Sequence, residues 1–233
     1  MARSKSQTHE EKPVRQRLLE AGERLFAEHG WHAIGIRAIA AEAGASLAAL
    51  NYYFGDKERL LAEIFSIRAK PIADERTRLL GEAGAEGDPS VEAILEAFLR
   101  PSLTIAGDLG GRSFVKLRAR LASEPQSSSR AILSREFDQS SRAFLAALGR
   151  ALPDLPRIDL EFRFHFLLGA NVYTMADNGR IQDLTGGHCD PGDVEAALRH
   201  LVPFLAAGFR SPAVTSAPVY ADPPAEAPRK ASK

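Results

Sequence analysis

Apolar residues along this chain recur at three- and four-residue intervals, and the strict alternation of a half-buried strand is missing. The pattern predicts an all-α protein. Val14, Leu18, Ala21, Leu25 and Phe26 make one face of a first helix, with Pro13 suited to its first turn and Gly30 to its stop. Two short helices are expected over 36–43 and 47–54, divided by Gly44-Ala45-Ser46. A longer one starts at Asp56 and carries Leu60, Leu61, Ile64 and Ile67 toward Leu80. Residues 81–89 read as a loop, after which Ser90 can cap a helix bearing Val91, Ile94, Leu95, Phe98 and Leu99. Gly110-Gly111 breaks the chain, and further helices are expected over 113–123, 127–152, 159–178 and 193–209. Pro153 and Pro156 mark one joint between them; Gly186, Gly187 and Pro191 mark another.

From Ser211 the composition shifts: the last 23 residues hold five prolines and six alanines with almost no large apolar group. Such a segment cannot repay its ordering entropy and is expected to be a disordered tail. Net charge is zero, 30 Lys and Arg against 30 Asp and Glu, so bulk charge does not announce a nucleic-acid binder. Its distribution adds one detail. Arg3, Lys5, Lys12, Arg15 and Arg17 outnumber Glu10 and Glu11 at the start, as a basic arm for phosphates or as a solvated tail. One cysteine, Cys189, excludes an internal disulfide and fits a reducing cytoplasm. No apolar run approaches the roughly 18–20 residues that cross a bilayer, so no membrane partner is expected. The first ten residues lack a signal peptide's apolar core.

The short helix pair carries the chemistry. Two helices crossing on a tight turn need a small residue for close approach, a residue that takes positive φ, and an apolar residue pointing back into the core. Ala40, Gly44 and Leu50 supply these in order, with Ile36 and Ile39 as core partners. Ser46 is a natural N-cap, exposing the positive end of the second helix toward a phosphate. Asn51, Tyr52 and Tyr53 add hydrogen-bonding groups, and for Tyr53 core packing competes with that role. Lys57, in the first turn of the next helix, is misplaced with respect to the helix dipole. An external anion would account for it, and so would plain solvation.

With Leu25-Phe26-Ala27-Glu28-His29-Gly30, Ile39-Ala40, Ala43-Gly44-Ala45-Ser46, Asn51-Tyr52-Tyr53-Phe54, Lys57-Glu58 and Leu60-Leu61 in place, residues 14–64 resemble the N-terminal domain of TetR-family transcriptional regulators. The resemblance implies a three-helix helix-turn-helix DNA-binding domain followed by a helical ligand-binding and dimerisation domain. It divides the chain into a flexible basic arm (1–11), a DNA-binding domain (12–56), an effector-binding and dimerisation domain (57–210) and the tail (211–233). It implies binding to a palindromic double-stranded operator, with Ser46 to Tyr53 entering the major groove. Leu47, Ala48 and Asn51 would lie nearest base edges; Ser46, Tyr52, Tyr53 and Lys57 would hold phosphates, and Arg37 would reach a base or a phosphate. Asn51 can read adenine through paired hydrogen bonds, whereas Ala48 and Ala49 can touch only thymine methyls. Three departures from the family's commoner pattern are seen: Leu47-Ala48-Ala49 replaces a more polar stretch, Asn51 stands where a tyrosine is frequent, and Gly35 where a Ser or Thr cap is common.

In the C-terminal two-thirds, the last two long helices are candidates for a four-helix interface between two copies. Phe166, Tyr173, Val194, Leu198, Leu201 and Leu205 are the expected contacts, on a stripe interrupted by Pro203. Phe162, Phe164, Phe166, Leu167 and Leu168 make the first of these helices too apolar to be one-sided. Phe98, Phe114, Leu117, Arg118, Leu121 and His165 are the candidate lining of a small-molecule effector pocket. Core packing for His165, and surface exposure for Arg118 and Arg120, are the competing readings. The segments from Ser46 to Lys57 and from Ala97 to Pro101 are similar to a branch that includes regulators of fatty-acid degradation. That similarity implies a fatty-acid or acyl-CoA effector whose acidic group meets an arginine. No nucleophile elbow, phosphate-binding loop or zinc motif occurs, so no enzyme, cofactor or metal is expected. His188-Cys189-Asp190, adjacent residues in a Gly/Pro loop, converge poorly on one metal.

Overall fold

The computed structural model describes residues 12–85, 87–106, 111–123, 127–176 and 179–214. The expected basic arm, and the tail from residue 215 on, lie outside the described residues. Among the described residues all regular structure is helical, in the order α1 (Val14–His29), α2 (Ile36–Glu42), α3 (Leu47–Phe54), α4 (Lys57–Ala83), α5 (Val91–Ala106), α6 (Gly111–Ser123), α7 (Ser127–Ala151), α8 (Arg157–Met175), α9 (Arg180–Thr185) and α10 (Val194–Arg210). No helix among them is long and apolar enough to cross a membrane.

Local chemistry explains the boundaries. Ser46, Asp56, Ser90 and Asp193 each accept a hydrogen bond from the backbone N–H three residues on, opening α3, α4, α5 and α10. Two expectations are corrected. α4 continues to Ala83 instead of stopping near Leu80, because the glycine at 81 is solvent-facing and breaks no contact. α9, flanked by the positive-φ glycines Gly179 and Gly186, is too short to show a period in the sequence. As the expected helix over 193–209 has it, α10 runs through Pro203 unbroken, and Pro71 and Pro101 likewise sit inside α4 and α5. Each proline removes one N–H donor, and the packing of the surrounding helices outweighs that loss.

The first three helices enclose a small core of Leu18, Phe26, Ile39, Leu50 and Phe54, closed by Leu60 and Leu61 from α4. The remaining helices form a second, larger layer in which α5 is central, contacting α4, α7, α8 and α10. Two elements join the halves. α4 belongs to both, and α6 packs along α1, where Arg120 donates to the Glu28 carbonyl at 3.0 Å. Two ion pairs, Arg210–Glu92 and Arg100–Glu195, pin α10 to α5. The Arg210 guanidinium holds the Glu92 carboxyl down at about 2. Its contribution is therefore present above the ordinary carboxylate range and is lost as pH falls toward 2.

Candidate functional site

α2 ends in a hydrogen-bonded motif that sets the angle of α3. Gly44 takes φ of +58°, its N–H donates to the Ala41 carbonyl at 3.1 Å, and the Ala45 N–H donates to the Ala40 carbonyl at 2.9 Å. Arg17 reaches across from α1 and donates to the carbonyls of Ala43 and Gly44, at 2.9 and 3.2 Å. This arginine, counted in the sequence with the basic residues at the start as an arm for phosphates or a solvated tail, is a brace for the turn. Leu50 and Phe54 are buried and anchor α3, so its other side is turned outward.

That outward surface gathers most of the expected DNA-facing residues. Arg37, Ser46, Ala48 and Asn51 are exposed, Leu47 and Ala49 half-buried. Tyr52 is 84% exposed and Tyr53 43%, with the two rings edge-to-face at 5.2 Å. Core packing therefore does not account for Tyr53. Lys57 differs from its companions. Its ammonium donates to the carbonyls of Trp31 at 3.0 Å and Ile34 at 3.2 Å and lies 5.0 Å from the centre of the Trp31 ring. The lysine that looked misplaced against the helix dipole is held by the loop between α1 and α2, which the sequence does not place beside it. One ammonium proton remains for a phosphate. Lys57→Ala is expected to lower stability by about 1–2 kcal/mol, read as a lower melting temperature without DNA. An unchanged melting temperature would mean the brace carries no weight.

The expected pocket residues divide. Phe98, Phe114, Leu117, Arg118 and Leu121 are all buried between α5, α6 and their neighbours, whereas His165 is exposed on α8. Arg118 is an interior residue, and Arg120 is the one at the surface. A second interior arginine, Arg76, is 1% exposed and lies outside the expected pocket set. A signal for it existed: Leu61, Phe65, Ala69, Ile72 and Arg76 fall on one helical register, so the arginine continues a buried stripe.

α8 shows two apolar faces. Phe164 and Leu167 point inward, while Ile158, Phe162, Phe166 and Tyr173 form a solvent-facing row. On α10, Phe204 and His200 are exposed beside the half-buried Leu201. The expected interface residues are thereby sorted: Phe166 and Tyr173 are exposed, Val194 and Leu201 half-buried, and Leu198 and Leu205 lie in the chain's own core. Leu198 and Leu205 face α5 and α8, because α10 turns its most apolar stripe inward; Phe204 takes their place on the outer face. An open groove of about 890 Å³ lies between α8, α9 and α10, lined in part by Tyr173, Leu184, Leu201 and Phe204. It shares no residue with the expected effector pocket. His188, Cys189 and Asp190 sit on its rim in an exposed loop.

A braced helix-turn-helix with an exposed second helix, carried on a larger helical body, defines a helix-turn-helix DNA-binding protein. Comparison with known proteins narrows this. The family model for bacterial regulatory proteins of the tetR family matches residues 18–64, and that for the tetracyclin repressor-like C-terminal domain matches residues 96–208. The chain belongs to the TetR family of transcriptional regulators. It is similar to the HTH-type transcriptional dual regulator CecR of Shigella flexneri, at 36% identity over 94 residues, 37% of this chain and 40% of that protein. The chain thus matches well under half the length of that relative. The fatty acid degradation regulator FadR of Bacillus halodurans superposes with a TM-score of 0.61 at 19% identity, covering 85% of this chain and 97% of that one. FadR of Bacillus subtilis, solved in complex with stearoyl-CoA, gives 0.58 at 14%, covering 83% and 98%. At these identities the likeness is one of fold.

Proposed function

We propose that this chain is a homodimeric repressor that binds a palindromic operator and leaves it when a small apolar or acyl-type effector binds the helical domain. The observation that carries this reading is the outer surface of α3. Ala48, Asn51 and Tyr52 are exposed there while Leu50 and Phe54 hold the helix from behind. Residues 12–56 act as the DNA-binding domain and 57–210 as the effector-binding and dimerisation domain, with no catalytic step. The exposed aromatic row of α8 and Phe204 of α10 support a dimer, since a soluble monomer rarely leaves so much contiguous apolar surface in water. Twofold symmetry then matches two half-sites about one DNA turn apart.

Release follows from differential binding. An effector that prefers the conformer with the wrong spacing between recognition helices by about 1.4 kcal/mol shifts the balance tenfold. α4 is the lever, because it begins against the DNA-binding core and ends in the helical body.

Footprinting of DNA captured by the purified protein tests the reading; a protected palindrome is the expected result. Asn51→Ala is expected to weaken operator binding by about 1–3 kcal/mol while leaving the melting temperature unchanged, since the side chain is exposed. Absence of specific protection at moderate salt overturns the DNA-binding assignment.

A further inference from the structure

Two arginines meet in the interior of the helical domain. Arg76 of α4 donates through Nε to the Phe98 carbonyl at 2.8 Å and through Nη2 to Ser102 Oγ at 2.8 Å. Arg118 of α6, 5% exposed, donates through Nη1 to the same Ser102 Oγ at 3.4 Å and to Met175 Sδ at 3.2 Å. Their guanidinium carbons lie over aromatic faces, Arg76 at 3.6 Å from the Phe98 centroid and Arg118 at 4.6 Å from that of Phe137. Pro101 helps to shape the site: it offers no N–H to α5 and sits one residue before Ser102.

What is missing is an anion. Among the described residues no carboxylate pairs with either arginine, and every acceptor they use is neutral. A guanidinium carries five N–H donors in a planar fork, so the two together far exceed the acceptors supplied. Burial pulls Arg118 down to about 10, still cationic at neutral pH, and pulls Arg76 down as well, with the charge of Arg118 adding to the effect. Buried charges in proteins are ordinarily paired, and two like charges sharing one hydroxyl are the reverse of that rule. A third group points the same way. Asn171 is fully buried on α8, one helical turn before Met175 and on the same face, and neither atom of its amide has a partner.

We propose that Arg76 and Arg118, with Ser102 and Asn171, bind the acidic head group of the effector, a carboxylate or phosphate whose hydrocarbon part lies among the surrounding phenylalanines. This rests on the reading of the chain as an effector-controlled regulator. The fork geometry suits a planar or tetrahedral oxyanion held by two N–H groups at once. The rings of Phe98, Phe114, Phe137 and Phe144 supply an apolar surround that a hydrated inorganic ion would not select. The placement also explains transmission. Arg76 lies on α4, which leads back to Lys57 and its brace on the loop between α1 and α2. Arg118 lies on α6, whose Arg120 bonds the last turn of α1. An anion gripped by both arginines draws together the two helices on which the DNA-binding domain is mounted.

The test uses the full chain, melted alone and with octanoate, dodecanoate, octadecanoate, dodecyl phosphate, inorganic phosphate or dodecan-1-ol. A saturable rise in melting temperature is expected with a straight-chain carboxylate or with dodecyl phosphate, and its preference between them identifies the head group. Dodecan-1-ol, with the chain but no charge, is expected to bind about tenfold or more weakly. Arg118→Met and Arg76→Met should each weaken the anion about tenfold or more without loss of operator binding, and they should make operator binding insensitive to the anion. Arg118→Lys keeps the charge and loses the fork, so it should fold and still bind the anion less well. The proposal is overturned if no anion raises the melting temperature, if inorganic phosphate matches dodecyl phosphate, or if the variants keep wild-type anion affinity. Operator binding is scored separately. Its absence refutes the regulator reading, whereas anion-independent binding in both wild type and variants refutes this site.

Discussion

A chain carrying Phe166→Asp and Phe204→Asp is expected to sediment as a folded monomer and to bind operator about 10²–10⁴-fold more weakly than the wild type. Phe166 is 61% exposed and Phe204 71%, so neither supports the core of its own chain. Their replacement should leave the monomer's helices intact. In a dimer the same rings would be covered by their counterparts, and two carboxylates brought face to face in that apolar setting would repel each other and resist desolvation. The loss in DNA affinity has a separate origin. When one recognition helix has bound, a tethered second one meets its half-site at high effective concentration, and a monomer forfeits that term while every base contact is kept. Sedimentation velocity and a footprint titration read the two effects independently. A variant that still sediments as a dimer would place the interface away from the faces of α8 and α10 that carry Phe166 and Phe204.

Gly44→Val is expected to cost about 1–3 kcal/mol in stability and to weaken operator binding by a comparable amount. At φ of +58° the backbone occupies a region that a β-branched residue enters only under strain. Space is not the obstacle, since an added Cβ at this position meets no atom within 4 Å. The strained residue would rotate away from positive φ. The Ala45 N–H bond to Ala40 and the Arg17 bonds to Ala43 and Gly44 would go with it, and the angle between α2 and α3 would relax. Gly44→Asn supplies the control, because asparagine tolerates the left-handed region and should stay within about 1 kcal/mol of wild type. Equal behaviour of the valine and asparagine variants in melting and footprinting would show that φ does not govern the turn.

The helix-turn-helix was legible because everything that marks it is local. Ser46 caps within three residues, Gly44 ends α2 within five, and Leu50 returns to Ile39 across one turn. The candidate DNA surface followed from the same stretch. Lys57 shows where that reasoning stops: its acceptors, Trp31 and Ile34, are 26 and 23 residues away in the chain. No spacing rule connects an ammonium to two carbonyls of a distant loop. Arg76 shows a different limit. It lies on an apolar register, yet in DERTRLL a charged residue reads as solvent-facing unless the partner helices that bury it are known.

The outer face of α8 and α10 presents the hardest case. Phe162, Phe164, Phe166 and Leu167 are apolar in every direction, so periodicity cannot say which face turns inward. By itself the sequence determined the helical class, the helix boundaries set by capping groups, and the turn that presents α3, because each depends on interactions within a few residues. Only the tertiary structure decided that Leu198 and Leu205 belong to the core while Phe204 does not, that Lys57 braces a loop, and that Arg76 and Arg118 share one hydroxyl in the interior. Those outcomes depend on how whole helices cross, and the crossing is set by the packing of all their side chains together.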